Sequence, residues 1–220
     1  MFDEQTQPFG DQQFRKFLEF TIGERYRAFL ELNRRAAKGG VVFVGDSITE
    51  GFNIHELLRS DKPMYNRGIG GDTTEGVLAK LQGAVLELAP SKVFLLIGTN
   101  DLEQGKKPEE IVRNIQEICS RIKAALPDTE LYVESVYPVN PHDHANRGPF
   151  PAVGSRRNED IRRINESLKD LSSSGSFTYI ELYSKLMDEE MNLHVDYTYD
   201  GLHLSIRGYE VVSAELQPYL

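Results

Sequence analysis

A serine hydroxyl becomes a nucleophile only when a base takes its proton, and that base must be oriented by a third group. Ser47, in Gly45-Asp46-Ser47, and the pair Asp200 and His203, in Asp200-Gly201-Leu202-His203, have the residue types for these three roles. A compact turn through Gly201 lets Asp200 reach His203 Nδ1 while Nε2 faces Ser47. Attack on a carbonyl also needs donors for the developing oxyanion. The backbone N–H groups of Ser47 and Gly71 and the side-chain amide of Asn100 are the candidates. Gly71 lacks Cβ, so a substrate oxygen can approach its backbone closely. Taken singly, each stretch has a plainer reading. Gly-Asp-Ser is also a strand-to-helix turn with an N-cap, Asp-x-x-His is a common spacing, and Asn100 is also a left-handed turn residue. Asp46 reads as a brace for the turn that presents Ser47. Asp72 and Asp101 read as caps or as partners behind the site.

What joins these stretches is the pattern of elements around them. Val41–Val44 is an apolar run that stops at Gly45, a buried strand ending in polar residues. Residues 63–68 form a weaker strand that runs into Gly68-Ile69-Gly70-Gly71-Asp72. Lys92–Ile97 is the clearest buried strand and leads directly into Gly98-Thr99-Asn100-Asp101. Residues 131–136 and 177–182 are the fourth and fifth strands. Helical periodicity separates them. It covers 12–37, with Phe14, Phe17, Leu18, Ile22, Tyr26, Phe29 and Leu30 near one face, and a short segment over 53–59. It then returns around Val77–Leu81, from Pro108 through Ala125, over 161–171, and from a Ser205 cap onward. Five alternations of strand and helix imply an α/β fold, with helices on both faces of a parallel sheet. In such a sheet every strand ends at the same edge, where ligands bind. The three polar clusters that follow strands therefore share one rim, although tens of residues separate them.

Composition sets the outer bounds. With 220 residues, 40% apolar and 27% charged, the chain suits one domain. Residues 1–38 are expected to be an N-terminal extension and helix packed on the main body, and 39–220 the main domain, with residues 1–10 loosely attached. A net charge of -9 argues against a nucleic-acid partner. The single cysteine, Cys119, excludes an internal disulfide and, beside Ile115, Ile118 and Ile122, reads as a buried structural thiol. No apolar run approaches the ~20 residues of a membrane span, and no leader-like segment is visible, so the expectation is a cytoplasmic protein without membrane insertion. The N-terminal helix is a candidate surface for a homodimer. The stretch 138–157 has no periodicity, and a connection of that length is often functional. His142, His144 and Arg147 within it are candidate substrate contacts. His142-x-His144 is also a candidate metal pair, with a solvated loop as the plainer reading. His55 and His194 read as solvated.

The clusters in this order resemble the SGNH (GDSL-type) hydrolases. The family's first block is matched by Gly45-Asp46-Ser47-Ile48-Thr49-Glu50-Gly51. Its second is matched by Asn66-Arg67-Gly68-Ile69-Gly70-Gly71-Asp72-Thr73-Thr74, its third by Gly98-Thr99-Asn100-Asp101 and its last by Asp200-Gly201-Leu202-His203. The Gly-Gly-Asp-Thr-Thr form of the second block is most similar to the subgroup of the platelet-activating-factor acetylhydrolase catalytic subunits and their bacterial relatives. The resemblance implies a three-layer α/β/α sandwich on a five-stranded, flavodoxin-like parallel sheet. It also implies cleavage of short-chain, chiefly acetyl, esters of a sugar or lipid-like alcohol through an acyl-enzyme, with no metal or other cofactor. Ser47 is then the nucleophile, His203 the base, Asp200 its orienter, and Gly71 and Asn100 complete the oxyanion hole. No departure occurs at these five positions. The Gly-x-Ser-x-Gly elbow of α/β-hydrolases is absent, since position 49 is Thr.

Three other functions compete. A metal-dependent phosphoesterase can draw on Asp46, Asn100, His142, His144 and His203, but leaves Ser47 idle. A non-catalytic carbohydrate-binding or interaction module on the same fold leaves all the catalytic positions without a task. A dinucleotide site is the weakest, because Gly68-x-Gly70 is followed by Thr73 where a third glycine is required.

Overall fold

The computed structural model describes residues 11–142, 145 and 152–220. The expectations for residues 1–10, His144 and Arg147 lie outside the described residues. The first helix, α1 (Asp11–Asn33), leads to β1 (Val41–Gly45), followed at once by α2 (Ser47–Glu50) and α3 (Ile54–Leu57). Then come β2 (Met64–Gly68), α4 (Thr74–Ala84), β3 (Lys92–Leu96), α5 (Thr99–Glu103), α6 (Pro108–Ala125) and β4 (Glu130–Glu134). The chain ends through α7 (Asn158–Ser172), β5 (Thr178–Ile180), α8 (Tyr183–Leu186) and α9 (Ile206–Leu216). The five strands form one parallel sheet in the order β2-β1-β3-β4-β5. This is the flavodoxin-like order, whose reversal between β1 and β3 opens a crevice at the carboxyl ends of those strands.

Alternation along each strand sorts the core into two layers. Val42, Val44, Val93, Leu95, Leu131 and Val133 pack against α4, α6 and α7, through Leu81, Ile115, Ile118, Ile122 and Ile164 among others. Cys119 is in this layer, and burial pushes its thiol up to about 12. Val41, Phe43, Phe94, Leu96 and Tyr132 face the other way, onto Ile54, Leu186, Val212 and Leu216. There Phe94 stacks between Phe43 and Tyr132, each pair of ring centroids 4.8 Å apart, a favourable offset arrangement. Phe52 stacks on Tyr209 at 5.2 Å, and the Tyr209 hydroxyl donates to the Ile48 carbonyl (2.7 Å), which ties α9 to the short helix that begins at Ser47.

Some element boundaries differ from expectation. The first helix stops at Asn33, short of Ala37, where the backbone passes into tighter turns such as Arg35 N–H to the Leu32 carbonyl (3.0 Å); the Asn33 amide donates to the Gly83 carbonyl (2.7 Å) and its oxygen accepts from Arg67 (3.0 Å). Its expected apolar face is only partly buried. Phe29 is buried and Leu18, Ile22 and Tyr26 are partly so, but Phe17 is 56% exposed and Leu30 sits at the margin of α4. The helix expected over 53–59 is a single turn, and the fifth strand is three residues long.

Candidate active site

The nucleophile candidate stands at a forced turn. Gly45 ends β1, and the Asp46 carboxylate then accepts from the Ile48 N–H (2.9 Å), so Asp46 is the N-cap of α2 and Ser47 its first residue. That position leaves the Ser47 N–H without an intrahelical acceptor. The second cluster presses against the same turn. A Cβ at Gly68 would collide with the backbone of Thr49 and Glu50, so only glycine lets β2 pass this close. Gly70 donates to the Glu50 carboxylate at 2.5 Å, and the chain then turns through Gly71 at φ +77, in the left-handed region. Thr73 caps α4 by accepting from the Gly76 N–H at 3.2 Å.

The structure brings the three candidate groups into line. Ser47 Oγ lies 2.9 Å from His203 Nε2, and His203 Nδ1 lies 2.6 Å from Asp200 Oδ2. The other oxygen of Asp200 accepts from the N–H groups of Leu202 (3.0 Å) and His203 (2.7 Å), a closed turn through Gly201 at φ +84. Burial pushes the Asp200 carboxyl up, but the hydrogen bonds and charge of His203 outweigh it and hold the group below the ordinary carboxylate range. An ionised Asp200 can only accept, so the proton on Nδ1 is fixed and Nε2 presents its lone pair to Ser47. Tyr199 stacks on the His203 ring at 5.9 Å and is 47% exposed.

Asn100 sits in the first turn of α5, on the same rim. Its Nδ2 donates to the Asp72 carbonyl (2.9 Å) and its Oδ1 accepts from Arg156 Nη2 (2.9 Å). These two partners also settle which end of the amide is nitrogen. Asp72 and Asp101 lie behind this rim. Asp72 pairs with Lys80 at 3.0 Å. Asp101, fully buried, accepts from both the N–H (2.9 Å) and the hydroxyl (2.6 Å) of Thr74 and lies 3.3 Å from Lys106. It thereby locks the third cluster to the start of α4, just after the second. Burial raises the Asp72 carboxyl against the pull of Lys80.

Beneath Ser47 the site is acidic and buried. Asp46 is 1% exposed, and among the described residues its Oδ2 has no hydrogen-bond partner. Burial pushes its carboxyl up to about 7, against the Ile48 N–H and the nearby His203 and Arg156. Glu134, at the end of β4, is also pushed up to about 7 by burial, although the Tyr137 hydroxyl donates to it at 2.5 Å. Glu134 has one signal in the sequence, a charged residue closing the apolar run Leu131-Tyr132-Val133. Arg156 and Tyr199 have none. Arg156 lies in an aperiodic stretch with no spacing relation to Asn100, and Tyr199 carries no local pattern.

The remaining histidines are elsewhere in the bonding network. His142 Nε2 is 3.6 Å from Glu190, His194 Nδ1 accepts from the Asp196 N–H, and His55 is exposed on α3. Among the described residues, no group of three or more His, Cys, Asp or Glu side chains is placed to hold a metal ion. Among them, too, no helix is long and apolar enough to cross a membrane.

Fold and family together define an ester hydrolase: the chain belongs to the GDSL-like lipase/acylhydrolase family, whose model matches residues 43–211. Among its curated relatives is platelet-activating factor acetylhydrolase IB subunit alpha1 of Bos taurus, 28% identical over 185 residues that cover 82% of this chain and 74% of the relative. A solved structure from Streptococcus pneumonia, provisionally named as a platelet activating factor, superposes with a TM-score of 0.89 at 31% identity, over 97% of this chain and 99% of that one. A GDSL-like lipase from Bacteroides thetaiotaomicron shares the fold with a TM-score of 0.75 at 23% identity, over 88% and 96% of the two chains.

Proposed function

We propose that the protein is a serine esterase that cleaves short-chain, chiefly acetyl, esters of a sugar or lipid-like alcohol through an acyl-enzyme on Ser47. The observation that carries this is the unbroken relay from Ser47 Oγ to His203 Nε2 (2.9 Å) and from His203 Nδ1 to Asp200 (2.6 Å). His203 Nε2 takes the hydroxyl proton as Ser47 Oγ bonds to the carbonyl carbon. The oxyanion is held by the N–H groups of Ser47 and Gly71 and by the second N–H of the Asn100 amide, whose first is occupied by Asp72. Collapse breaks the bond to the alcohol, which leaves with the proton from His203. Water then repeats the sequence on the acyl-serine and releases the acid. No cofactor takes part. The acetyl preference is supported by the similarity to an acetylhydrolase.

The test is a panel of aryl esters of increasing acyl length together with O-acetylated sugars, with Ser47→Ala as blank. We expect acetyl esters to be turned over fastest and Ser47→Ala to lose the activity by at least the roughly 10²–10⁴-fold that a positioned base contributes. Ser47→Ala hydrolysing at the wild-type rate overturns the mechanism. A preference for long acyl chains overturns the substrate class alone.

A further inference from the structure

The aperiodic stretch after Pro138 returns to the body at Arg156, and this residue is 7% exposed with every nitrogen of its guanidinium engaged. Nε donates to the carbonyl (2.9 Å) and hydroxyl (3.0 Å) of Thr99. Nη1 donates to the carbonyls of Ala152 and Val153, both at 3.0 Å, and lies 3.2 Å from the Glu103 carboxylate. Nη2 donates to Asn100 Oδ1 at 2.9 Å. A buried cation is costly unless it is paired and fully hydrogen-bonded. Bracing the 152–156 segment against α5 needs only Nε and Nη1. The third arm is spent on one atom, the amide oxygen of the residue assigned to the oxyanion.

We propose that Arg156 is a positioning residue for the oxyanion hole: it holds the Asn100 amide from the oxygen side, so that Nδ2 faces the reacting carbonyl, and polarises that amide as charge develops. The inference rests on the serine-esterase reading above. Asn100 is gripped at both ends, by the Asp72 carbonyl at Nδ2 and by the guanidinium at Oδ1. A hydrogen bond from a cation to an amide oxygen draws electrons from its nitrogen and strengthens the remaining N–H as a donor, an effect that low local dielectric enlarges. The benefit appears only when negative charge forms on the substrate, so it belongs to the transition state and not to ground-state binding. Lysine cannot reproduce it, because a single ammonium cannot span Thr99, Val153 and Asn100 as the planar fork does.

The discriminating experiment is a double-mutant cycle on hydrolysis of p-nitrophenyl acetate with Arg156→Lys, Asn100→Ala and the pair. Thermal unfolding of each variant reports on folding. We expect Arg156→Lys to lower kcat roughly tenfold or more, within the roughly 10²–10³-fold that loss of the donor itself costs, with KM changed less than threefold. In the Asn100→Ala background the same substitution should cost less than threefold. Arg156→Ala with added guanidinium chloride at millimolar concentration is the second arm, and should regain kcat while methylammonium does not. Glu103→Gln, which weakens the ion pair and leaves the Asn100 contact, should keep kcat within threefold. A full multiplicative loss in the double variant, or a folded Arg156→Lys with wild-type kcat, overturns the inference and leaves the esterase reading standing. Asn100→Ala with wild-type kcat overturns the oxyanion assignment and this inference together.

Discussion

Replacing Asp200 with asparagine separates chemistry from stability in one side chain. The carboxylate accepts three hydrogen bonds, from the N–H groups of Leu202 and His203 at one oxygen and from His203 Nδ1 at the other. Asparagine has the same shape but one acceptor oxygen and one donor nitrogen, so it cannot satisfy both sides. If its oxygen stays on the two backbone N–H groups, its NH₂ faces Nδ1. Two donors cannot face each other, so the ring proton moves to Nε2, where it blocks acceptance of the Ser47 proton. The loss is then the worth of the base, roughly 10²–10⁴-fold in kcat. If the amide turns over, the base survives but two N–H groups lose their acceptor, at about 1–3 kcal/mol each. The first orientation is the one we expect, because the Asp200 side chain is only 11% exposed and water cannot readily replace the lost acceptor. The expected result is a fall in kcat on p-nitrophenyl acetate of roughly 10²-fold or more, with a loss in urea stability at neutral pH that shrinks as pH falls. The wild-type carboxyl is held below its ordinary range. Its contribution to stability is therefore present above an ordinary carboxylate pKa and lost as pH falls through the lowered value; the asparagine variant lacks that acid limb. An Asp200→Asn protein with both kcat and unfolding midpoint at wild-type values would refute the role of this carboxylate.

Two further substitutions test the turn that presents the nucleophile. Gly71→Ala places a Cβ at φ +77, at a cost of about 1–2 kcal/mol, and 2.8 Å from Leu18 Cδ1. Leu18 can give way, but the positive φ strains the peptide itself, so kcat should fall roughly tenfold or more with KM nearly constant; steady-state kinetics with unchanged kcat would remove the Gly71 N–H from the oxyanion hole. Asp46→Asn keeps the acceptor for Ile48 while removing a carboxyl whose pKa rises from 3.8 to about 7 on folding. Between those values the folded chain holds a proton that the unfolded chain releases, so Asp46 makes wild-type stability fall with rising pH by about 1.4 kcal/mol per unit. The variant should therefore gain on wild type from pH 4 to 7 and run parallel above that. Denaturant titrations that stay parallel throughout would contradict the buried, protonated Asp46.

The strands β1 and β3 were readable because both are buried on two faces and so appear as continuous apolar runs. The fourth strand ends at Glu134, two residues before its sequence pattern does. Ser135 and Val136 are apolar or small enough to continue it, but Val136 gives its N–H to Asn165, and the Ser135 hydroxyl accepts from Leu182 and Tyr183. Such side-chain captures come from α7 and the β5 end, far along the chain, and no local pattern announces them. The same logic divides the site. The meeting of Ser47, His203 and Asp200 was readable because chemistry restricts which residue types can serve and topology restricts where strand ends meet. Arg156 was not, because an arginine in a Pro- and Gly-rich stretch is ordinary. Its meaning comes only from a contact with Asn100, 56 residues earlier.

The first helix lies outside the span that matches the family, yet it bears on the second cluster directly. Leu18 covers Gly71, so closely that no Cβ fits between them without displacement. Arg25 donates to the Gly68 carbonyl at 3.4 Å and lies 3.5 Å from Glu50, whose other oxygen takes the Gly70 N–H. Farther along, Arg67 of β2 stacks its guanidinium on Phe29 at 4.7 Å while donating to Asn33. The three glycines leave this loop only one side chain of its own to pack, Ile69, which is buried. An unsupported glycine loop has the largest conformational entropy of any segment, and an oxyanion donor works only when its direction is set before the reaction begins. Ile69 anchors the loop through its buried side chain and its N–H to the Gly45 carbonyl (3.0 Å), and the contacts of Leu18 and Arg25 hold its glycines from outside. In that sense α1 is part of the architecture of the site, although it holds none of the groups assigned to the chemistry.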